Sequence, residues 1–91
     1  MQANETIKPG IDYIELNLKT TITAEELADM AGYSVWHYSR LFLQATDLSV
    51  AAYISKRRLN RALGEIMVGR RAIDVAMEYG FDIYAGFYKN H

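Results

Sequence analysis

Apolar residues recur along this chain at helical spacing. Ile7, Ile11, Ile14 and Leu18 step by four, three and four, which sets them on one stripe of a helix. Thr23-Ala24-Glu25-Glu26 reads as a capping box, with the Thr23 hydroxyl and the Glu26 carboxylate satisfying each other's orphan amides. It opens a short helix with Leu27, Ala28 and Ala31 inside, and Gly32 stops that helix because glycine takes positive φ cheaply. Ser34 is the expected N-cap of a helix over Val35–Ala45, with Tyr38, Leu41, Phe42 and Ala45 as its buried stripe. Asp47 and Ser49 punctuate the chain before a longer helix over Val50–Met67, whose expected apolar face is Tyr53, Ile54, Leu59, Leu63, Ile66 and Met67. Gly69 ends it. A fifth segment carries Ile73, Val75, Ala76 and Tyr79; Gly80 then breaks the chain, and Asp82 caps a last helix over Ile83–His91. No alternating run bounded by turns reads as a strand, so the expected fold class is all-α.

The second half echoes the first. Leu27-Ala28 followed by Ala31-Gly32-Tyr33-Ser34 is matched by Val75-Ala76 followed by Tyr79-Gly80-Phe81-Asp82. Each copy has a short helix, glycine, an aromatic, a cap and a second helix, which is what a helix-turn-helix requires. The glycine makes the sharp turn and the aromatic plugs the gap between the helices. The sequence therefore predicts two helix-turn-helix units joined by a long central helix, in a homeodomain-like arrangement. Residues 1–6 are expected as a flexible N-terminal segment and 7–91 as the domain. The first unit covers about 24–45, the central helix about 50–67 and the second unit about 72–91.

Composition narrows the functional classes. Ninety-one residues, 51% of them hydrophobic, suit one folded domain that buries roughly 60–65% of its unfolded surface. With no cysteine there is neither a disulfide framework nor a thiolate metal site. No apolar run reaches the ~20 residues of a membrane span, and the N-terminus lacks the regions of a signal peptide, so a soluble cytoplasmic chain is expected. No nucleophile motif, phosphate-cradling glycine loop or histidine-backed carboxylate pair is present, which argues against an enzyme, and no cofactor is expected. The formal charge of −1 is low for a partner of nucleic acid, but it is unevenly placed. Two bases face six acids through Ser34, whereas eight bases face five acids from Val35 onward. The later part can carry a phosphate-binding face.

The chain resembles the DNA-binding domain of the AraC/XylS family. The residues carrying the resemblance are Tyr13-Ile14-Glu15 with Asn17-Leu18, then Leu27-Ala28 and Ala31-Gly32-Tyr33-Ser34. They continue through His37-Tyr38-Ser39-Arg40-Leu41-Phe42, Tyr53-Ile54, Arg58-Leu59 with Ala62, Ile73-Asp74-Val75-Ala76 and Gly80-Phe81. The resemblance implies sequence-specific binding of double-stranded DNA by a bacterial transcription regulator, with a recognition helix from each unit in successive major grooves. Such grooves lie ~34 Å apart on one face of the duplex. It also implies RNA polymerase and a sensor or effector-binding domain, missing from this chain, as further partners. Two departures stand out: Asp47 and Val50 occupy places where the family usually has glycine and proline, and a closing helix is expected beyond His91.

Residues pointing away from the Tyr38 stripe are the candidate base readers: Val35, Trp36, His37, Ser39 and Arg40. Arg40 leads because its guanidinium fork can donate twice to guanine. Trp36 has no core to enter from that face and suits thymine methyls, sugar or a partner surface. The resemblance points to the positions of Trp36, Ser39 and Arg40 as base contacts. His37 suits a phosphate or a local cap, since two histidines, one of them terminal, make no metal site. In the second unit Tyr84, Ala85, Gly86, Tyr88 and Lys89 face outward, suited more to phosphate contacts and shape than to base readout. Lys56, Arg57, Arg61, Arg70 and Arg71 are the phosphate-contact candidates, while Arg58 divides evenly between a DNA contact and a structural bond at the core edge. The competing functional class is a helical protein–protein interaction module that does not bind DNA, in which Trp36, Tyr84 and Tyr88 dock another protein.

Overall fold

The computed structural model describes residues 2–81, and every regular element among them is an α-helix, as the periodicity predicts. They are α1 (Gln2–Leu16), α2 (Ala24–Ala31), α3 (Val35–Thr46), α4 (Val50–Met67) and α5 (Ala72–Glu78). The expected helix from Ile83, with Tyr84, Ala85, Gly86, Tyr88 and Lys89, lies outside the described residues.

One correction concerns the start of the chain. Helix α1 begins at Gln2, so most of the segment expected to be flexible is helical, and Pro9 sits inside the helix rather than near its first turn. Proline removes one intrahelical donor, and the helix continues because tertiary packing holds it on either side. Ile7 and Ile14 are fully buried on one stripe of α1, and Leu18, expected on the same helix, lies in the turn after it and is nearly fully buried there. Helix α3 packs on both α1 and α2. At the α1–α3 crossing Gly10 approaches Tyr38 closely. A β-carbon at Gly10 would collide with the Tyr38 hydroxyl, so glycine is needed there for space.

The two tight turns are built alike. In the first, Gly32 takes φ 78° and the Tyr33 amide donates to the Ala28 carbonyl at 3.0 Å. In the second, Gly80 takes φ 78° and the Phe81 amide donates to the Ala76 carbonyl at 2.9 Å. The internal echo in the sequence is thus an echo in hydrogen bonding, with Leu27 and Val75 buried at matching positions. The N-caps differ. Thr23 and Glu26 form the full capping box, whereas Arg71, at the corresponding place, makes no side-chain cap.

Between α3 and α4 the chain turns without glycine or proline. Asp47 itself adopts the left-handed conformation, φ 62°, which the short polar side chains of Asp and Asn tolerate better than most. The Thr46 hydroxyl steadies this turn, donating to the Phe42 carbonyl at 2.9 Å and accepting from the Leu48 amide at 3.1 Å. Ser49 then caps α4 by accepting from the Ala52 amide at 3.1 Å.

Helix α4 carries the second correction. Of its expected apolar face, Ile54 is buried and Tyr53 and Ile66 are half-buried, but Leu59, Leu63 and Met67 are exposed. The inward stripe runs instead through Val50, Ile54 and Ala62. Its middle position falls to Arg58, which a count of apolar residues passes over. The Arg58 guanidinium donates to the Leu18 carbonyl at 2.8 Å and the Thr20 carbonyl at 2.5 Å, tying α4 to the loop after α1. The same core cluster extends through Ala62 to Val75 and Tyr79 of the second unit. Ile73, expected inside α5, is half exposed.

Candidate nucleic-acid interface

Helix α3 owes its exposed face to its buried one. Tyr38 and Phe42, one turn apart, are fully enclosed, and Phe42 meets Tyr53 edge-on at 5.4 Å between ring centroids. That packing fixes the rotation of α3 about its axis. The helix starts at a satisfied cap, the His37 amide donating to the Ser34 hydroxyl at 3.1 Å. Val35, Trp36, His37 and Arg40 stand exposed over the first turn and a half, and Ser39 is half-buried beside them. The sequence-derived candidates of the first unit are therefore brought together on one surface.

Within that surface Trp36 is 69% exposed, and the Arg40 guanidinium lies over its ring, 4.9 Å from the centroid. An exposed cation–π contact of this kind contributes about 0.5–1 kcal/mol and holds the guanidinium along the helix face. Arg40 makes no ion pair with any described residue. His37 packs its ring against Tyr33 at 4.9 Å, the aromatic of the tight turn.

The other basic residues divide by their partners. Arg57 forms a bidentate pair with Glu15, at 2.6 and 3.0 Å, and Arg61 approaches the same carboxylate at 3.6 Å. The Arg57 hydrogen bond, opposed by some desolvation, holds the Glu15 carboxyl below its usual range. Arg70 pairs with Glu65 at 2.9 Å and with Glu78 at 2.8 and 2.5 Å. Arg71 has only a loose contact with Asp74 at 3.5 Å, and Lys56 has no acidic partner among the described residues. Of the five phosphate-contact candidates, Arg57 and Arg70 are thus held inside the protein by hydrogen-bonded pairs, and Lys56, Arg61 and Arg71 are the more available.

Glu15, Glu65, Glu78 and Lys19 form a set that sequence reasoning missed. Lys19 donates to Glu78 at 2.9 Å and sits over the Tyr79 ring, while the Tyr79 hydroxyl bonds Glu65. Lys19, Glu65, Arg70, Glu78 and Tyr79 together tie the loop after α1 to the end of α4 and to α5. Nothing local marks them, because Lys19 and Glu78 lie 59 residues apart. This junction has a pH signature. Arg70 first, and Lys19 second, hold the Glu78 carboxyl down at about 2, against an ordinary value of 4.5. Because the folded carboxyl titrates below the unfolded one, its stabilisation is present above pH ~4.5 and fades as pH falls toward ~2. Thermal midpoints measured across that window should fall less steeply for Glu78→Gln than for the native chain. Parallel curves would mean that the pair contributes nothing.

Comparison with known proteins agrees with this arrangement. Residues 27–90 match a family described as a helix-turn-helix domain. The chain is 35% identical over 82 residues to the transposon Tn10 TetD protein of Escherichia coli, covering 89% of this chain and 59% of that one. It is 32% identical over 78 residues to the multiple antibiotic resistance protein MarA of Salmonella typhimurium, covering 85% of this chain and 61% of MarA. It is also 35% identical over 77 residues to the right origin-binding protein of Escherichia coli, covering 84% of this chain but 27% of that protein. The chain therefore spans under two thirds of these relatives. On the family match, the relatives and the α2–α3 helix-turn-helix, the chain belongs to the AraC-type helix-turn-helix family.

Proposed function

We propose that this chain binds double-stranded DNA sequence-specifically, as the DNA-binding domain of an AraC-type transcription regulator, with α3 as its first recognition helix. The observation that carries the reading is the face of α3 opposite Tyr38 and Phe42, where Trp36 and an Arg40 with no ion pair among the described residues stand side by side. A guanidinium near the N-terminal half of such a helix suits bidentate donation to guanine, and an exposed indole suits thymine methyls. Val35, His37 and Ser39 complete the surface. Lys56, Arg61 and Arg71 are the preferred phosphate contacts, since Arg57 and Arg70 would have to leave hydrogen-bonded acidic partners first. In the second unit Tyr84, Ala85, Gly86, Tyr88 and Lys89 are proposed to add backbone contacts and shape recognition. Relatives such as the transcriptional regulator Rob and the transcriptional activator AarP support a regulatory rather than an enzymatic role. RNA polymerase and an effector-binding domain outside this chain are proposed as further partners.

A second reading, a protein-docking helical module, draws on the exposed Leu59, Leu63 and Met67 along α4. Salt separates the two. A duplex selected from a random pool, and its scrambled version, are titrated between about 50 and 200 mM salt. DNA recognition predicts a steep fall of log K with log salt and a selected duplex bound roughly 10³-fold more tightly than the scrambled one. Equal, weak binding to both duplexes with no selectable site would favour the docking module.

A further inference from the structure

The outer face of α3 runs on past the residues assigned to DNA so far. A helix turns ~100° per residue, so Leu43, seven residues after Trp36, returns to within ~20° of it around the axis, with Arg40 close to the same line. All three stand opposite the buried Tyr38 and Phe42. Leu43 is 53% exposed and takes no part in the core cluster. Helical side chains lean toward the N-terminus, so Leu43 covers the surface beside Arg40, whose guanidinium in turn lies back over the Trp36 ring. No charge accompanies it, since Leu41-Phe42-Leu43-Gln44-Ala45-Thr46 holds neither acid nor base. This end of the face therefore has no cation to offer a phosphate.

We infer that Leu43 is a further specificity-determining residue, seated against the 5-methyl group of a thymine about one or two base pairs from the guanine read by Arg40. This role presupposes the DNA-binding reading given above and adds a base preference to it. Homeodomain recognition helices read bases through positions spaced i, i+3, i+4 and i+7. Trp36, Ser39 and Arg40 fill the first three of these here, and Leu43 fills the fourth. Its distance from Arg40 follows from the rise, ~4.5 Å over three residues against ~3.4 Å for each base pair. The chemistry follows from the groove, where the only apolar group on a base edge is the thymine methyl. A guanine, adenine or cytosine edge against Leu43 would shed water from its polar atoms and gain no partner, which disfavours those bases at that place.

Uracil in place of thymine removes the methyl and keeps the pairing, so it is the probe, placed at one thymine at a time in a duplex selected by the native protein. At one thymine beside the guanine whose contact Arg40→Ala abolishes, the native protein should bind the uracil duplex about 3–5-fold more weakly. That is the loss expected when one methyl-sized apolar contact is left unmade. Leu43→Ala should bind the thymine and uracil duplexes alike. Its thermal midpoint should stay close to that of the native chain, because the side chain is exposed and alanine is a good helix former. Leu43→Met keeps an apolar reach and should retain the uracil penalty. Equal penalties for native and Leu43→Ala proteins at every thymine, or no penalty near that guanine, would overturn the role of Leu43 and leave DNA binding by α3 standing. Failure to select any duplex would overturn the DNA-binding reading itself, and the role of Leu43 with it.

Discussion

Gly10→Ala should destabilise the native chain by about 1–3 kcal/mol, and the same substitution should become neutral or stabilising once Tyr38 is replaced by Phe. Helix propensity alone predicts the opposite sign in the first case, since alanine gains ~1 kcal/mol over glycine inside a helix. Space overrides propensity here. The added β-carbon would collide with the Tyr38 hydroxyl, which sits at the end of a rigid, fully buried ring and cannot swing aside. Overpacking of this kind costs about 1–3 kcal/mol. In Tyr38→Phe the nearest ring atom is Cζ, 3.6 Å from the new β-carbon, and Leu27 Cδ2 lies at 3.7 Å, both ordinary contacts. The helix gain of up to ~1 kcal/mol is then realised. Tyr38→Phe alone should cost little, because the hydroxyl it removes has no partner. Urea unfolding of the four proteins measures the cycle. An equal penalty for Gly10→Ala in both backgrounds would show that the α1–α3 contact is not set by this approach.

The second large effect concerns binding. Arg40→Ala should lose about 1–3 kcal/mol on a preferred duplex, relax base preference at one position and barely change binding to random duplex. Arg71→Ala should weaken both duplexes alike and lower the salt slope by about one, since a phosphate contact carries no sequence information. Arg70→Ala is expected to behave differently from either. Its guanidinium is committed to Glu65 of α4 and Glu78 of α5, so its removal loosens the junction of the central helix with α5 before it touches DNA. Lower thermal stability with an unchanged salt slope is the expected result.

These contrasts show where sequence reading ends. Local chemistry was legible: the Thr23–Glu26 capping box, the Ser34 cap and the glycine turns at Gly32 and Gly80 are all set by residues within a few positions of one another. The exposed face of α3 was legible for the same reason, because burying Tyr38 and Phe42 dictates where Trp36 and Arg40 must point. The start of α1 was not, since the apolar stripe begins at Ile7 and nothing before it marks a helix that runs back through Pro9 to Gln2. The inner stripe of α4 was misread at its centre, where Arg58 satisfies two carbonyls of the opposing loop and apolar periodicity points to Leu59 instead. The roles of the basic residues depended on acids far away in the chain. Glu15 claims Arg57 across 42 residues, a pairing that no spacing rule anticipates.

The central claim, that α3 reads sequence through Arg40, is tested most directly by scanning the selected duplex with 7-deazaguanine. This base lacks the N7 acceptor that a bidentate arginine needs and retains Watson–Crick pairing. The native protein should lose about 1–3 kcal/mol at one guanine, and Arg40→Ala should be indifferent to the substitution at that same guanine. If native and Arg40→Ala proteins show the same penalty at every position, Arg40 does not contact a guanine N7, and the assignment of base readout to this face of α3 is contradicted.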